Sequence, residues 1–400
     1  MTGARKVVIF GAGNVGRGFL GQLFTESGYE VVFAEIDKRL VHRLNQQGSY
    51  TLRMVDSELC QDLTISPVRA VDGQDQRALA CEITGADTLA TAVGVRALPQ
   101  VAPVIAQGVA RRADAEITAP LNVIICENLR NASQVLCALC LKHLPDEHHS
   151  YLDDKIGFVE AVIARMVPIL PDDVREKDPT FVVVEPYKVL PVDGTGLKGA
   201  VPDIVGLEAY RNFPAHVDRK LYLHNAGHAM LGYLGYQKGL EHGYEALSDP
   251  QISALLDQAL DEAIHGLTQE HGFDRKPLRT HVDDLVARFG NQALGDTVFR
   301  LARDPARKLR PEDRLVGAAR LAERAGVTPE ALSWGIAAGY RFDSPSDPLA
   351  MKLQERISAE GFVTTLADVS GIEQDEPMGV QVLERYRRLR EGDWPGEDWE

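Results

Sequence analysis

The feature that most constrains the fold lies near the amino terminus, where an apolar run leads directly into three spaced glycines. Val7–Phe10 is typical of a short buried β-strand, and Gly11-x-Gly13-x-x-Gly16 and a segment of helical periodicity follow it. In such a unit the first glycine permits a tight turn, the second lets the backbone approach a pyrophosphate, and the third lets helix and strand pack closely. We therefore predict a dinucleotide site on a doubly wound α/β sheet. The cofactor contacts expected in the turn are Gly11, Gly13, Asn14, Val15 and Gly16.

An acidic residue ends the second predicted strand, Val31–Glu35, at about the distance of roughly 20 residues expected for a ribose-binding carboxylate. Glu35 is better placed than Asp37 to accept hydrogen bonds from an adenosine ribose, and its charge would repel a 2′-phosphate. We therefore expect NAD rather than NADP, although Lys38 and Arg39 could soften this preference. The alternative is a glycine-rich turn without a ligand.

Short β-branched runs alternate with amphipathic segments up to about residue 187, as in repeated βαβ units. The further predicted strands are Thr88–Ala92, Val123–Cys126 and Phe181–Glu185. The predicted helices are Gly18–Ser27, Arg39–Gln46, Pro99–Arg111 and Asn131–His143. Ligands of such sheets bind beyond the carboxyl ends of the strands, so Thr91, Val93 and Asn128 are further expected cofactor contacts, with ordinary loops as the alternative.

Beyond Gly199 the strand signals fade, and amphipathic helices broken by Gly or Pro follow one another. A chain of 400 residues with 44% hydrophobic residues has material for two cores. We predict an α/β fold, with a Rossmann-type domain over residues 1–195 and a mostly α-helical substrate domain over residues 196–400.

The charge and the cysteines limit the partners and the compartment. A net charge of −15 argues against a nucleic-acid or anionic membrane surface, and no apolar stretch is long enough to span a bilayer. Five sparse cysteines and the lack of a signal-peptide pattern favour the cytoplasm. The expected partners are a small-molecule substrate and, at most, further copies of the chain in a small homo-oligomer.

The most informative stretch of the second half is Lys220–Leu234, an almost wholly apolar helix with a few polar exceptions. At about 100° per residue, Asn225 lies ~140° and His228 ~80° from Lys220 around an α-helix, so the three share one broad face. Alcohol oxidation needs a base for the hydroxyl proton and donors for the oxygen. Lys220 fits the base if burial or a neighbouring cation lowers its pKa, and Asn225 and His228 fit the donors.

Three alternatives to this interpretation stay open. Lys220 could extend to solvent while its neighbours make hydrogen bonds within the core. His224 and His228 stand at i and i+4, as zinc ligands often do, but Asn225 replaces the Glu of a metalloprotease, so we expect no metal. The chain could also be a nucleotide-binding sensor without turnover.

Four motifs resemble the polyol-specific long-chain dehydrogenases, and the likeness covers nearly the whole chain. They are Gly-Ala-Gly-Asn-x-Gly-Arg-Gly-Phe at Gly11–Phe19, Thr-Ala-Val-Gly at Thr91–Gly94, Cys-Glu-Asn at Cys126–Asn128 and the family-specific Lys-x4-Asn-x2-His at Lys220–His228. The resemblance implies a Rossmann-type domain, a helical second domain and a zinc-independent mechanism with Lys220 as base. It further implies NAD-linked interconversion of D-mannitol 1-phosphate and D-fructose 6-phosphate.

The resemblance also implies residues near the substrate. Glu160 matches an acidic or amide position of the family, where it is longer than the expected Asp or Asn, and Asp193 matches an aspartate. A phosphorylated substrate needs a basic pocket, although salt bridges between helices are the commoner role of arginines. The candidates are Lys198, Arg288, Arg300, Arg307 and Lys308. Members of the family also act on free polyols or hexuronates, which remain the alternative substrates.

Overall fold

The computed structural model describes residues 5–395. The chain divides into two compact units, Met1–Phe213 and Pro214–Glu400. This division falls later than the predicted boundary at residue 195. The reason is a pair of parallel strands, Leu190–Asp193 and Leu207–Tyr210, which keeps the intervening chain with the first unit.

The first unit is built around a parallel sheet. Its strands are β1 (Arg5–Phe10), β2 (Tyr29–Glu35), β3 (Tyr50–Val55), β4 (Cys60–Ile65), β5 (Val68–Asp72), β6 (Thr88–Thr91), β7 (Leu121–Ile125), β8 (Ile156–Glu160), β9 (Val182–Val184), β10 (Leu190–Asp193) and β11 (Leu207–Tyr210). Six of them pair in the order β5-β2-β1-β6-β7-β8, with every pair parallel. With the hairpin β3–β4 set aside, this is the strand order of the Rossmann fold. The predicted fold class is confirmed.

Alternate residues of the central strands face two separate cores. Ile9 and Phe33 belong to the core on one face of the sheet, and Val8 and Val32 belong to the core on the other. All four side chains are fully buried. Because helices cover both faces, the strands are continuous apolar runs, which is the pattern that made β1 recognisable in the sequence.

The helices of the first unit connect these strands. They are α1 (Gln22–Glu26), α2 (Lys38–Gln47), α3 (Gln76–Thr84), α4 (Leu98–Asp114), α5 (Ala132–Leu141), α6 (His149–Lys155) and α7 (Asp172–Lys177). A π-helical turn, Gly16–Gly21, leads from β1 into α1. The four predicted helices correspond to this turn with α1, and to α2, α4 and α5.

Two features of the sheets differ from the prediction. The predicted strand Phe181–Glu185 exists as β9, but it pairs with β3 in a separate sheet of order β4-β3-β9. The strands β5 and β8 complete the main sheet and were not predicted. Each has only five residues, and Arg69 in β5 and Gly157 in β8 interrupt their apolar runs, so neither has clear periodicity.

The second unit is helical, and the described residues 214–395 contain no strand. Its helices are α8 (Phe213–Arg219, beginning at the unit boundary), α9 (Ala226–Gln237), α10 (Gly243–Ser248), α11 (Pro250–His271), α12 (Arg275–Phe289), α13 (Val298–Ala302), α14 (Pro305–Lys308), α15 (Val316–Arg324), α16 (Glu330–Tyr340), α17 (Pro348–Glu360), α18 (Phe362–Ser370) and α19 (Pro377–Glu391). The central helix α9 packs against α10, α11, α13 and α16. Between residues 5 and 395, no helix is both long and apolar enough to cross a membrane.

Candidate active site

The glycine turn after β1 has the geometry that the sequence predicts. Gly11 has a φ of +94°, and a Cβ on it would lie 2.6 Å from the Ala92 carbonyl oxygen. A Cβ on Gly16 would lie 2.0 Å from the Gly11 carbonyl oxygen, so the first turn of the helix must be free of side chains there. Gly13 is exposed, and a Cβ on it would meet no atom within 4 Å. The backbone at Gly13 is therefore open to a ligand.

Two side chains next to these glycines hold the turn in place. Arg17 is buried, and its Nε and Nη1 donate to the carbonyl oxygens of Ala12 at 2.5 Å and Pro179 at 2.8 Å. The Nδ2 of Asn14 donates to the carbonyl oxygen of Pro168 at 3.2 Å. Asn14 thus has a structural bond besides its predicted role, while the half-buried Val15 packs on the sheet core.

Glu35 lies at the end of β2, directly against the glycine turn. Its Oε2 accepts from the Ala12 N–H at 2.8 Å, and its Oε1 accepts from the N–H groups of Ile36 at 2.7 Å and Asp37 at 2.9 Å. An ionised carboxylate can accept about four hydrogen bonds, so one acceptor position is left for a ribose hydroxyl. Asp37 instead caps α2, accepting from Arg39 N and Leu40 N. This geometry favours Glu35 over Asp37 as the ribose ligand.

The carboxyl ends of β6 and β7 carry the next group of site residues. Thr91 ends β6 and Val93 lies two residues beyond it, and both donate to the carboxylate of Glu127, which lies two residues beyond β7. Asn128 is exposed at the same edge. Sequence reasoning named Thr91, Val93 and Asn128 and missed Glu127, although a carboxylate between an apolar strand and a polar loop was the available signal.

Two of the predicted substrate residues of the first unit, Glu160 and Asp193, lie side by side. Glu160 ends β8 and accepts from the Ser133 hydroxyl at 2.7 Å, and the bridge between Ala161 and Val192 sets Glu160 beside Asp193. Asp193 accepts from the backbone and hydroxyl of Thr195.

Lys198 lies elsewhere in the first unit. Its backbone bonds to the side chain of Asn122, the second residue of β7, at 2.9 and 3.1 Å. It therefore lies near the amino ends of the strands, away from the edge that carries the other candidates. This position does not support Lys198 as a phosphate ligand.

The lysine motif of the second unit begins in a π-helical turn, Lys220–Asn225, that continues into α9. The Ala226 N–H donates to the Leu221 carbonyl oxygen, five residues back. Because a π-turn takes more residues than the 3.6 of an α-turn, positions i and i+5 come onto nearly the same face. Lys220 and Asn225 are therefore closer in direction than the ~140° expected from α-helical spacing.

Two histidines and a phenylalanine pack next to this turn. The rings of His224 and His228 meet edge to face with centroids 4.7 Å apart, and Phe289 lies 4.3 Å from the ring of His228. Gly227 makes this possible, since a Cβ there would lie 2.7 Å from Phe289 Cε2. Burial, together with the surrounding cations, holds the pKa of His228 well below its usual value. His228 is thus a neutral imidazole with one N–H donor at neutral pH.

Lys220 has the altered acidity that a base requires. Its side chain is half-buried, and burial followed by the nearby charge of Arg314 lowers its pKa to about 8. Arg314 is itself buried and pairs with Asp313 at 2.8 Å. Sequence reasoning missed Arg314 as the neighbouring cation, because 94 positions of sequence separate it from Lys220.

Four cations lower the pKa of His228 through their charge, and we call them the basic cluster: Arg288, Arg300, Lys308 and Arg314. Arg288 is 3.7 Å from Asp284, and Arg300 pairs with Asp296. The Arg300 Nε is nevertheless buried without a hydrogen-bond partner among residues 5–395.

Lys308 is the most buried member of the basic cluster, at 5% exposure. Its Nζ donates to the Leu301 carbonyl oxygen, and no carboxylate of the described residues lies within ion-pair distance of it. Burial and the charge of Arg314 lower its pKa to about 6. Arg307, by contrast, is exposed and pairs with Asp304 at 2.7 Å, so it is a surface ion pair.

The described residues contain no group of three or more His, Cys, Asp or Glu side chains arranged to hold a metal ion. His224 and His228 contact each other and Phe289 through their ring faces and edges.

A Rossmann-type unit with a glycine turn, followed by a helical unit with a lysine of lowered pKa, defines a nucleotide-dependent dehydrogenase. The comparisons with known proteins agree. Residues 5–206 match the mannitol dehydrogenase Rossmann domain, and residues 212–389 match the mannitol dehydrogenase C-terminal domain. The chain belongs to the mannitol dehydrogenase family, as the motifs predicted.

Curated relatives match nearly the full chain. The mannitol-1-phosphate 5-dehydrogenase of Bacillus licheniformis is 39% identical over 379 residues, which is 94% of this chain and 98% of the relative. The enzyme of the same name from Bacillus subtilis is 36% identical over 380 residues, covering 95% and 99%.

Solved structures show the same fold. Pseudomonas fluorescens mannitol 2-dehydrogenase, in a ternary complex with NAD and D-mannitol, has a TM-score of 0.75 at 18% identity, covering 97% of this chain and 92% of that one. A D-sorbitol dehydrogenase in substrate-free form has a TM-score of 0.80 at 17% identity, covering 96% and 93%.

Proposed function

We propose that the protein is an NAD-dependent, metal-independent dehydrogenase that interconverts D-mannitol 1-phosphate and D-fructose 6-phosphate, with Lys220 as the general base. The observation that carries this proposal is the lysine of lowered pKa in the family motif. The names of the curated relatives support the substrate pair. The five free cysteines favour a reducing compartment such as the cytoplasm.

The glycine turn fits NAD. Gly13 leaves its backbone open, and the start of the following helix provides N–H groups for a pyrophosphate. Glu35 has an acceptor position left for a ribose hydroxyl, and its charge opposes the 2′-phosphate of NADP. Arg39 donates one N–H to the Glu176 carbonyl oxygen, which holds the side chain there and leaves its charge unchanged.

When bound, NAD⁺ supplies the acceptor for the hydride. In the oxidation direction, the neutral amine of Lys220 accepts the proton of the substrate hydroxyl. The Asn225 amide and the N–H of the neutral His228 donate hydrogen bonds to the same oxygen as it becomes a carbonyl. In the reduction direction, the Lys220 ammonium returns the proton.

The basic cluster supports a phosphorylated substrate. Three arginines and Lys308 lie around His228, while the net charge of the chain is −15. Arg300 offers a buried and unsatisfied N–H. Lys308, with a pKa of about 6, is largely a neutral amine near pH 7, and a phosphate dianion beside it would favour its three-donor ammonium form. A phosphate dianion would satisfy these donors, and charge-assisted bonds of this kind are the strong ones. We therefore assign the phosphate to Arg300 and Lys308, with Arg288 as a further contact.

A substrate panel tests the proposal. We expect NADH absorbance to fall with fructose 6-phosphate and to fall much more slowly with fructose or a hexuronate, and NADPH to be a poor substitute. A chelator should leave the rate unchanged. Faster reaction with fructose or a hexuronate would refute the phosphate assignment and leave the dehydrogenase class intact.

The pH dependence of the rate tests the base. The amine of Lys220 must be neutral for oxidation, so kcat/KM for mannitol 1-phosphate should rise with pH and level off above about 8, the value set by burial and Arg314. In Arg314→Gln, the loss of the cation raises the pKa of Lys220, and the rise should move to higher pH. The control is Arg324→Gln, an exposed surface residue, which should keep the wild-type profile. An unchanged profile in Arg314→Gln would show that the charge of Arg314 does not act on the group that titrates, contrary to this account of Lys220.

A further inference from the structure

Glu127 is a buried charged residue to which the mechanism gives no role. It follows β7 and is 6% exposed. Burial raises the pKa of its carboxyl, while the hydrogen bonds it accepts from Thr91 and from backbone groups lower it. A buried carboxylate costs free energy unless its oxygens are fully hydrogen-bonded, so its bonds indicate what it is there to hold.

Apart from a bond with its own backbone, the carboxylate of Glu127 bonds to the last residue of the neighbouring strand β6 and to the loop that follows it. Its Oε2 accepts from the Thr91 hydroxyl at 2.5 Å, and its Oε1 accepts from the Val93 N–H at 3.0 Å. The backbone of Gly94 also bonds to it. Gly94 has a φ of +83°, so the chain turns sharply at the point where the carboxylate holds it.

This loop lies directly against the glycine turn. A Cβ on Gly11 would lie 2.6 Å from the Ala92 carbonyl oxygen and 3.2 Å from Val93 Cγ1. The Ala92 N–H also donates to the Phe10 carbonyl oxygen at 2.8 Å. Glu127, the Thr91–Gly94 loop and Gly11 therefore form one chain of contacts. This chain lies at the carboxyl ends of β1 and β6, where the strand order reverses. Ligands of such sheets bind at this point.

We propose that Glu127 is a positioning residue for the cofactor, which fixes the Thr91–Gly94 loop against the glycine turn through its two carboxylate oxygens. The inference rests on the proposed NAD site. Glu127 touches no reacting atom, so its replacement should act on the affinity for NADH and much less on the chemical step.

The test compares NADH binding, measured by fluorescence titration, with steady-state kinetics in graded variants. In Glu127→Met, which keeps the volume and removes both acceptors, we expect Kd and KM for NADH to rise about tenfold, the effect of losing hydrogen bonds to a charged group. The value of kcat and the KM for the sugar phosphate should change much less. Glu127→Gln should be intermediate, because its amide oxygen still accepts from Val93 and its NH₂ can donate to the Thr91 oxygen. Thr91→Val should show a smaller rise than Glu127→Met.

A matched control is available in the second unit. Glu262 is also a buried carboxylate, and it accepts from the N–H groups of Ala331 at 2.8 Å and Leu332 at 3.0 Å at the start of α16. Glu262→Met should lower the Tm while leaving Kd for NADH unchanged. If Glu127→Met does not fold, Glu127→Gln and Thr91→Val carry the test.

The outcomes separate this inference from the proposed function. If the wild-type protein binds no NADH, the proposed function fails first. If the wild type binds NADH and the Glu127 and Thr91 variants bind it equally well, the role of Glu127 is wrong. An equal rise of Kd in Glu262→Met would also overturn it, since the effect would then be general loosening of the protein.

Discussion

Lys220→Met will lower kcat for mannitol 1-phosphate oxidation by ~10²–10⁴-fold, the range in which general base catalysis contributes. Methionine keeps the volume of the aliphatic chain and removes the proton acceptor. Because Lys220 has no part in the cofactor turn, Kd for NADH should stay near the wild-type value. Stopped-flow measurement of NADH formation at saturating substrate, together with the fluorescence titration, separates the two effects.

Two further variants define what the lysine does. Lys220→Arg keeps a positive charge but cannot lose its proton near pH 8, so it should be nearly as slow as Lys220→Met. Lys352→Met changes an exposed lysine on α17 and should leave kcat unchanged. Wild-type turnover in Lys220→Met would refute the mechanism. NADH binding without turnover, in the wild type and in every lysine variant alike, would favour the sensor interpretation.

Arg300→Met and Lys308→Met will each lower kcat/KM for fructose 6-phosphate by up to about 10²-fold, because each removes a charge-assisted bond to the phosphate. The activity toward unphosphorylated fructose should fall less, since the lost partner is the phosphate itself. The ratio of the two kcat/KM values is the measurement that distinguishes phosphate recognition from general damage to the site.

The same segment provides a control for these variants. Arg303 is exposed, and Arg303→Met should leave the ratio of kcat/KM values unchanged. The Tm of each variant shows whether the fold is intact, since Lys308 also bonds to the Leu301 carbonyl oxygen. If both substrates lose activity by the same factor in Arg300→Met and Lys308→Met, the phosphate does not bind at these residues.

The lysine motif shows how far sequence patterns reach into the site. Its helix, its burial and its polar exceptions could be predicted, because they follow from local periodicity. The π-turn that brings Lys220 and Asn225 onto nearly the same face could not, since a single inserted residue in a helix leaves no periodic signal.

Residues distant in sequence supplied the rest of the site. Arg314 lowers the pKa of Lys220, and Phe289 packs on His228 at 4.3 Å, yet no spacing rule connects either residue with the motif. The position of Lys198 could not be predicted for the same reason. Its place near the amino ends of the strands depends on bonds with Asn122, 76 positions away.

Local order along the chain was enough to predict the glycine turn, the α/β character of the first half, the helical second half and Lys220 as the candidate base. Each of these depends on neighbours within a few residues: an apolar run, a glycine where a Cβ cannot fit, a helical period. Only folding decided three other features. They are the lowered pKa of Lys220, the bonds by which Glu127 holds the Thr91–Gly94 loop, and the grouping of the basic cluster around His228. They depend on burial and on charges brought together from separate segments, and such interactions exist only once the chain has packed.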